Sequence, residues 1–135
     1  MKQPILEAAV SLAQRLGYLL VATSDARGLP HVAAATKIAL GKGKGRVGVE
    51  TWFCPGTMAN LERNPRLSLV IWDPETDQGH QLLGRVEKVE DLAILDGYSS
   101  QLKNRGGWPQ AERRLFVQVE KALRFQRTRH TDEED

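Results

Sequence analysis

The residues whose types and spacing best suit chemistry lie in one run, CPGTMANLERNP, from Cys54 to Pro65. It opens like a tight turn and becomes a helix immediately after a strand-like stretch, RVGVETWF. A helix start leaves backbone N–H groups without partners and carries partial positive charge, so it suits an anion such as a phosphate. Thr57 is read as the cap of this helix, with its hydroxyl available to the same anion. Asn60, one turn along, is placed either to face a ligand or, the weightier role, to tie down the preceding loop. Pro65 closes the helix after about two turns, because the residue before a proline is pushed out of helical angles.

Other reactive side chains give weaker signals. Lys37 interrupts a small, apolar segment, AAATKIAL, so its ammonium must reach either solvent or an anion. The lysines of GKGKG lack the Gly-Lys-Ser/Thr ending of a P-loop and read as a solvated, flexible connection. The single cysteine, Cys54, cannot form an internal disulfide. A helix start can lower a thiol pKa, but no histidine stands near Cys54 in sequence, and it is read as a small packed residue. His31, His80 and His130 show no metal spacing, so no metal site is expected. No Ser-His-Asp order or carboxylate pair stands out for hydrolysis, which directs attention to a site whose chemistry resides in a bound cofactor.

These residues need a scaffold, and 135 residues suit a single domain spanning the chain. Hydrophobic content of 41% with 27% charged residues is ordinary for a soluble protein. No apolar run approaches the ~20 residues needed to cross a bilayer. The start, MKQPILEAAV, lacks a secretory pattern, so no membrane association and a cytoplasmic location are expected. A net charge of +2 over nearly equal acids and bases argues against nucleic acid as a partner. Basic KALRFQRTRH, with Arg124, Arg127 and Arg129, reads as a solvated strand end, and residues 130–135 as a frayed acidic tail.

In PILEAAVSLAQRLG, Ile5, Ala9, Leu12 and Leu16 recur at helical spacing, Pro4 suits the first turn and Gly17 the residue past the end, giving a helix within residues 1–17. YLLVATS and HVAAATKIAL should pair as a hairpin across the turn DARGLP. In RVGVETWF, Val47 and Val49 share one face while Arg46, Gly48 and Glu50 take the other. RLSLVIWD and HQLLGRVEKVED are further strands, with a bulge signalled at Val86 and Val89. A helix is expected from about Leu92 to Leu102, ended by KNRGGWP. RRLFVQVEKALRF sets Leu115, Val117 and Val119 against Phe116, Gln118 and Glu120, a strand pattern. Six strands and three helices result, and mostly consecutive antiparallel strands suggest a closed or nearly closed barrel with helices over its mouths.

This order of elements resembles the FMN-binding split-barrel family related to pyridoxamine 5′-phosphate oxidase. The resemblance runs from YLLVATSDARGLPHVAAATKIAL through RVGVETWFCPGTMANLERNPRLSLVIWD and GHQLLGRVEKVED to LFVQVEKALRF, and GTMANLERNPRLSL is its most specific piece. It implies a mainly β fold with short helices, a six-stranded antiparallel Greek-key split barrel. It further implies a homodimer with FMN at the subunit interface and oxidoreductase activity on a small-molecule redox substrate. Carried over by position, the cofactor-binding residues are Thr36 and Lys37 on the second strand, Glu50, Thr51 and Trp52 at the third strand's end, and Pro55, Gly56 and Thr57 in the turn, with Asn60 beyond it. Trp52 would flank the flavin, Trp72 would pack, and Trp108 would either cover a cofactor face or anchor its loop. Many members place Arg or Lys in the turn, where this chain has Pro55, Gly56 and Thr57. That departure leaves open a non-FMN binding module of the same fold, holding haem, deazaflavin or no cofactor. Pyridoxamine 5′-phosphate oxidation itself is the less favoured activity, since the chain looks short at its C-terminus for that enzyme.

Overall fold

A computed structural model describes residues 1–94, 111–128 and 133–135. The elements run α1 (Gln3–Leu16), β1 (Leu19–Ser24), β2 (Pro30–Ala35), β3 (Lys37–Leu40), β4 (Arg46–Trp52), α2 (Pro55–Arg63), β5 (Arg66–Asp73), β6 (Gln78–Ile94) and β7 (Ala111–Arg124). The strands form one sheet in the order β2-β1-β5-β6-β7-β4-β3, and every neighbouring pair is antiparallel. β2 and β3 are consecutive in sequence yet lie at opposite edges of that order, joined only by Thr36. The Thr36 N–H reaches the Glu50 carbonyl at 3.4 Å, so the sheet curls until its edges approach. The result is a split barrel.

The described residues form seven strands, not the expected six, because HVAAATKIAL breaks at Thr36 into two strands with different partners. Ala35 still pairs with Leu19 of β1, whereas Lys37 pairs with Glu50 of β4. Nothing in the alternation of small residues marks that change. Two helices occur among the described residues. The helix expected from about Leu92 is not found at its start, since β6 continues to Ile94; the rest of that segment, with Trp108, and also His130, lie outside the described residues. β6 persists because β7 pairs along its length through register shifts, one between Val86 and Lys88, where the bulge was expected.

α1 forms as its sequence directs, with Pro4 in the first turn and Gly17 in the left-handed conformation (φ 84°) just past the end. Its buried stripe of Leu6, Ala9, Val10, Leu12 and Ala13 packs on β3, β5 and β6, with Ile5 and Leu16 at its margins. The stripe meets the inward residues Val21, Val49, Leu69, Ile71, Leu82, Leu115 and Val117, which alternate along their strands with outward ones. Phe53, nearly inaccessible, follows β4 into the same core. Burying each such side chain contributes about 1.5–3 kcal/mol, so this core fixes which faces of β3, β4 and β7 look outward. The acidic end also folds back: Glu134 pairs with Leu123, and the Asp135 carboxylate lies 3.3 Å from Arg124 Nε, so residues 133–135 do not fray as expected.

Candidate functional site

The outward faces of β3, β4 and β7 bring together side chains far apart in sequence. Register sets Lys37 opposite Glu50 and Ala39 opposite Gly48 across β3–β4, then Glu50 opposite Arg114 and Gly48 opposite Phe116 across β4–β7. Over this surface lies a cavity of 980 Å³, at the upper end of the ~300–1,000 Å³ usual for small-ligand sites. Its lining holds five basic side chains, Lys37, Lys42, Arg46, Lys88 and Arg114, against the two carboxylates of Glu50 and Glu87. Arg114 is the hub: its Nε donates to Glu50 at 2.7 Å and its Nη1 to Glu90 at 3.3 Å. The guanidinium and the ammonium of Lys88 both approach the Phe116 ring, at 5.9 and 5.4 Å from its centroid.

Of the expected cofactor residues, Thr36, Lys37 and Glu50 line this cavity. Thr51, between Glu50 and Trp52 on β4, turns inward and is buried, while Trp52 shares the outward face of Glu50 and is 38% exposed. The turn residues are not part of the cavity lining. Pro55 and Gly56 are exposed, but Thr57 is wholly buried, and it does not cap α2. Cys54 is the N-cap and makes no capping side-chain bond, which leaves Thr57 as the third residue of the helix, in its first turn. There the Thr57 hydroxyl lies 3.1 Å from Cys54 Sγ and 3.4 Å from His31 Nδ1. His31 Nε2 stands 3.9 Å from the same sulfur, so the hydroxyl expected as a cap and an imidazole with no expected role lie beside the half-buried thiol. A Cβ on Gly56 would stand 3.4 Å from His31 Nε2, so an imidazole faces the turn position. Asn60 donates to the Thr23 hydroxyl at 3.0 Å, tying α2 to β1 rather than facing the cavity.

The sequence reading missed Lys42, Arg46, Lys88, Arg114 and Phe116. Lys42 belongs to GKGKG, read as a solvated connection, and Phe116 had been placed correctly opposite Leu115. What could have joined Arg46, Lys88, Arg114 and Phe116 was the register of β7 with β4 and β6, which no local pattern encodes.

A family model described as pyridoxamine 5′-phosphate oxidase matches residues 5–130. The chain belongs to the pyridoxamine 5′-phosphate oxidase family. Solved structures of similar shape include HupZ of Group A Streptococcus, 20% identical with a TM-score of 0.62, aligned over 89% of this chain and 93% of that one. An FMN-binding protein from Syntrophomonas wolfei is 18% identical with a TM-score of 0.61, over 93% and 89% of the two chains. The haem storage protein HutZ of Vibrio cholerae is 16% identical with a TM-score of 0.55, over 93% and 96%. At these identities the likeness speaks for the pyridoxamine 5′-phosphate oxidase fold alone. No curated protein sequence matches the chain. No helix among the described residues is long and apolar enough to cross a membrane. For FMN, which the Syntrophomonas wolfei protein binds, the cavity offers an excess of cations suited to a phosphate, the polar side chains of Glu50 and Arg114, and a floor at Gly48 and Phe116.

Proposed function

We propose that this protein is an FMN-binding oxidoreductase that works as a cytoplasmic homodimer. The observation that carries the reading is the 980 Å³ cavity, basic in balance, in which Thr36, Lys37 and Glu50 come together on the outer face of a pyridoxamine 5′-phosphate oxidase fold. When bound, the flavin accepts electrons from one small-molecule substrate and passes them to a second or to oxygen. The protein's part is binding and orientation. Glu50, held by Arg114, presents a fixed acceptor; Lys37, opposite it in register, presents a mobile donor; Phe116 and Gly48 supply the surface on which a ring can lie.

The homodimer is supported by a second face. Leu20 and Val32 are 38% and 58% exposed, and pairing sets Leu20 against Ala34 and Val70, and Ala22 against Val32. An apolar strip of this kind on β2, β1 and β5 suits a matching strip on a second copy.

The absorbance spectrum of freshly purified protein tests the cofactor. Flavin bands, or quenching of added FMN fluorescence that Lys37→Ala weakens, would support the reading; a protein that neither carries nor takes up FMN would sink it. A haem-binding module is the second reading, favoured by the absence of a basic side chain at Pro55, Gly56 and Thr57 and by the likeness to HutZ. A sharp Soret band on haem addition, lost on His31→Ala or His80→Ala, would favour it instead.

A further inference from the structure

We infer that Lys37, Glu50 and Arg114 together recognise an imide edge, the C(=O)–N(H)–C(=O) group that a flavin carries on its pyrimidine ring. Glu50 accepts the ring N–H, and Lys37 and Arg114 donate to the carbonyls on either side of it. The inference deepens the flavin reading above and rests on it for the class of ligand.

The three side chains stand in one row across the sheet. Register sets Lys37 on β3 opposite Glu50 on β4, and Glu50 opposite Arg114 on β7, and all three line the cavity. Arg114 Nε donates to Glu50 Oε1 at 2.7 Å, Nη2 approaches the same oxygen, and Nη1 donates to Glu90 at 3.3 Å. Among the described residues, Glu50 Oε2 and the Lys37 ammonium have no partner. The guanidinium also keeps N–H groups to spare, since it carries five. The row therefore presents a donor, an acceptor and a donor. An imide edge presents an acceptor, a donor and an acceptor, the complement of that order. A carboxylate or sulfonate offers acceptors alone and would meet Glu50 as a like charge.

The floor beside this row suits a ring laid flat. Two residues along each strand, Ala39 lies opposite Gly48 and Gly48 opposite Phe116, so the surface there carries a methyl group, no side chain and a phenyl ring. Lys88, opposite Phe116 on β6, holds its ammonium 5.4 Å from that ring's centroid and bounds the floor on one side. Arg46, bound to Glu87 at 3.1 Å, bounds it at the far end of β4. Arg46 and Glu50 lie four residues apart, roughly 13 Å at ~3.3 Å per residue, which gives a fused-ring body room to run along β4 with its edge at Glu50. The Glu50 side chain is 21% exposed, so little water competes for its free oxygen, and an N–H that fills it gains correspondingly.

The test titrates FMN and 3-methyl-FMN, in which a methyl group replaces the imide hydrogen, into wild type, Glu50→Ala, Lys37→Ala and, as a control for lost surface charge, Lys121→Ala. Melting curves verify that each variant is folded, and the wild-type comparison needs no variant. Wild type is expected to bind FMN about tenfold or more tightly than the methylated ligand, a difference of about 1.4 kcal/mol. Glu50→Ala should bring the two ligands within about twofold of each other. Lys37→Ala should weaken both and keep the preference, and Lys121→Ala should match wild type. Equal wild-type affinities, a preference that survives Glu50→Ala, or a Lys37→Ala variant that binds both ligands as wild type does would overturn the inference and leave the flavin reading standing. If wild type binds neither ligand, the flavin reading fails, and lumichrome with 3-methyllumichrome, which lack the ribityl phosphate, decide instead. A preference for lumichrome that Glu50→Ala removes then upholds the imide site, and equal binding or none overturns it.

Discussion

His31 Nδ1 lies 3.4 Å from the wholly buried hydroxyl of Thr57, joining β2 to the first turn of α2. The contact makes Thr57 a structural residue. Thr57→Val keeps the side-chain shape but leaves the imidazole and the Cys54 thiol without their shared partner, which costs about 1 kcal/mol. A lower urea midpoint at unchanged slope is the expected readout, with Thr57→Ser close to wild type. Wild-type stability for Thr57→Val would show that the hydroxyl is idle.

Asp77 takes a left-handed backbone (φ 55°), and its carboxylate accepts bonds from the Thr128 hydroxyl, the Arg127 and Thr128 backbone N–H groups and Trp72 Nε1. Those donors, the Thr128 hydroxyl foremost, hold its pKa far below the usual carboxylate range. The folded pKa is depressed, so the stabilisation is complete above the unfolded value of about 3.9 and is lost as pH falls through the folded one. Asp77→Asn tolerates the same backbone but removes the charge and turns one accepting oxygen into a donor. Its melting temperature should lie below wild type at pH 6, and the gap should close as pH drops below about 4. A gap independent of pH would refute the charge argument.

His80 is a second titrating group, with the opposite charge on protonation. Burial pushes its pKa down, while Asp135, whose Oδ2 lies 3.6 Å from Nδ1, pulls it up without cancelling the effect. The net depression means that the neutral ring favours folding above the unfolded value of about 6.5, and that this advantage fades as pH falls toward the folded value. His80→Gln should therefore flatten the decline in melting temperature between about pH 7 and pH 5, whereas Asp135→Asn should steepen it. Parallel curves for all three proteins would exclude His80 as the source.

Two glycines separate packing from ligand access. A Cβ on Gly84 would come within 2.6 Å of the Gln118 carbonyl, a backbone atom that cannot swing aside, at the register shift between β6 and β7. Gly84→Ala should destabilise by about 1–3 kcal/mol. A Cβ on Gly48 would meet only the flexible Arg114 side chain, its Cδ at 3.4 Å. Gly48→Ala should melt near wild type yet bind FMN more weakly, because it raises the cavity floor. Equal melting temperatures for the two variants would contradict this contrast.

The faces of individual strands were legible in the sequence because alternation is local: Val47 and Val49 inward, Arg46, Gly48 and Glu50 outward, and Leu115 opposed to Phe116. Pro4, Gly17 and Pro65 likewise marked helix ends through their own backbone restrictions. The break at Thr36 was not legible, since a run of alanines pairs equally well with either neighbour and only the curl of the sheet decides. For the same reason the site was half seen. Thr36, Lys37 and Glu50 followed from resemblance, whereas Arg114, Lys88 and Lys42 reach them only through the register of strands distant in the chain. Thr57 misled because a hydroxyl near a helix start suits a cap, and the half-buried imidazole that claims it lies 26 residues earlier.

The pairing of β4 with β7, Gly48 against Phe116, has a consequence for the order of events in the cell. While the ribosome is still making the middle of the chain, β4 has only the short β3 beside it, and the floor of the cavity does not exist. It forms when β7 emerges and closes contacts across about half of the sequence, the slow kind of step in β-rich folding. Any ligand of that floor arrives after β7 has left the ribosome, and the chain before it must reach its shape without the ligand.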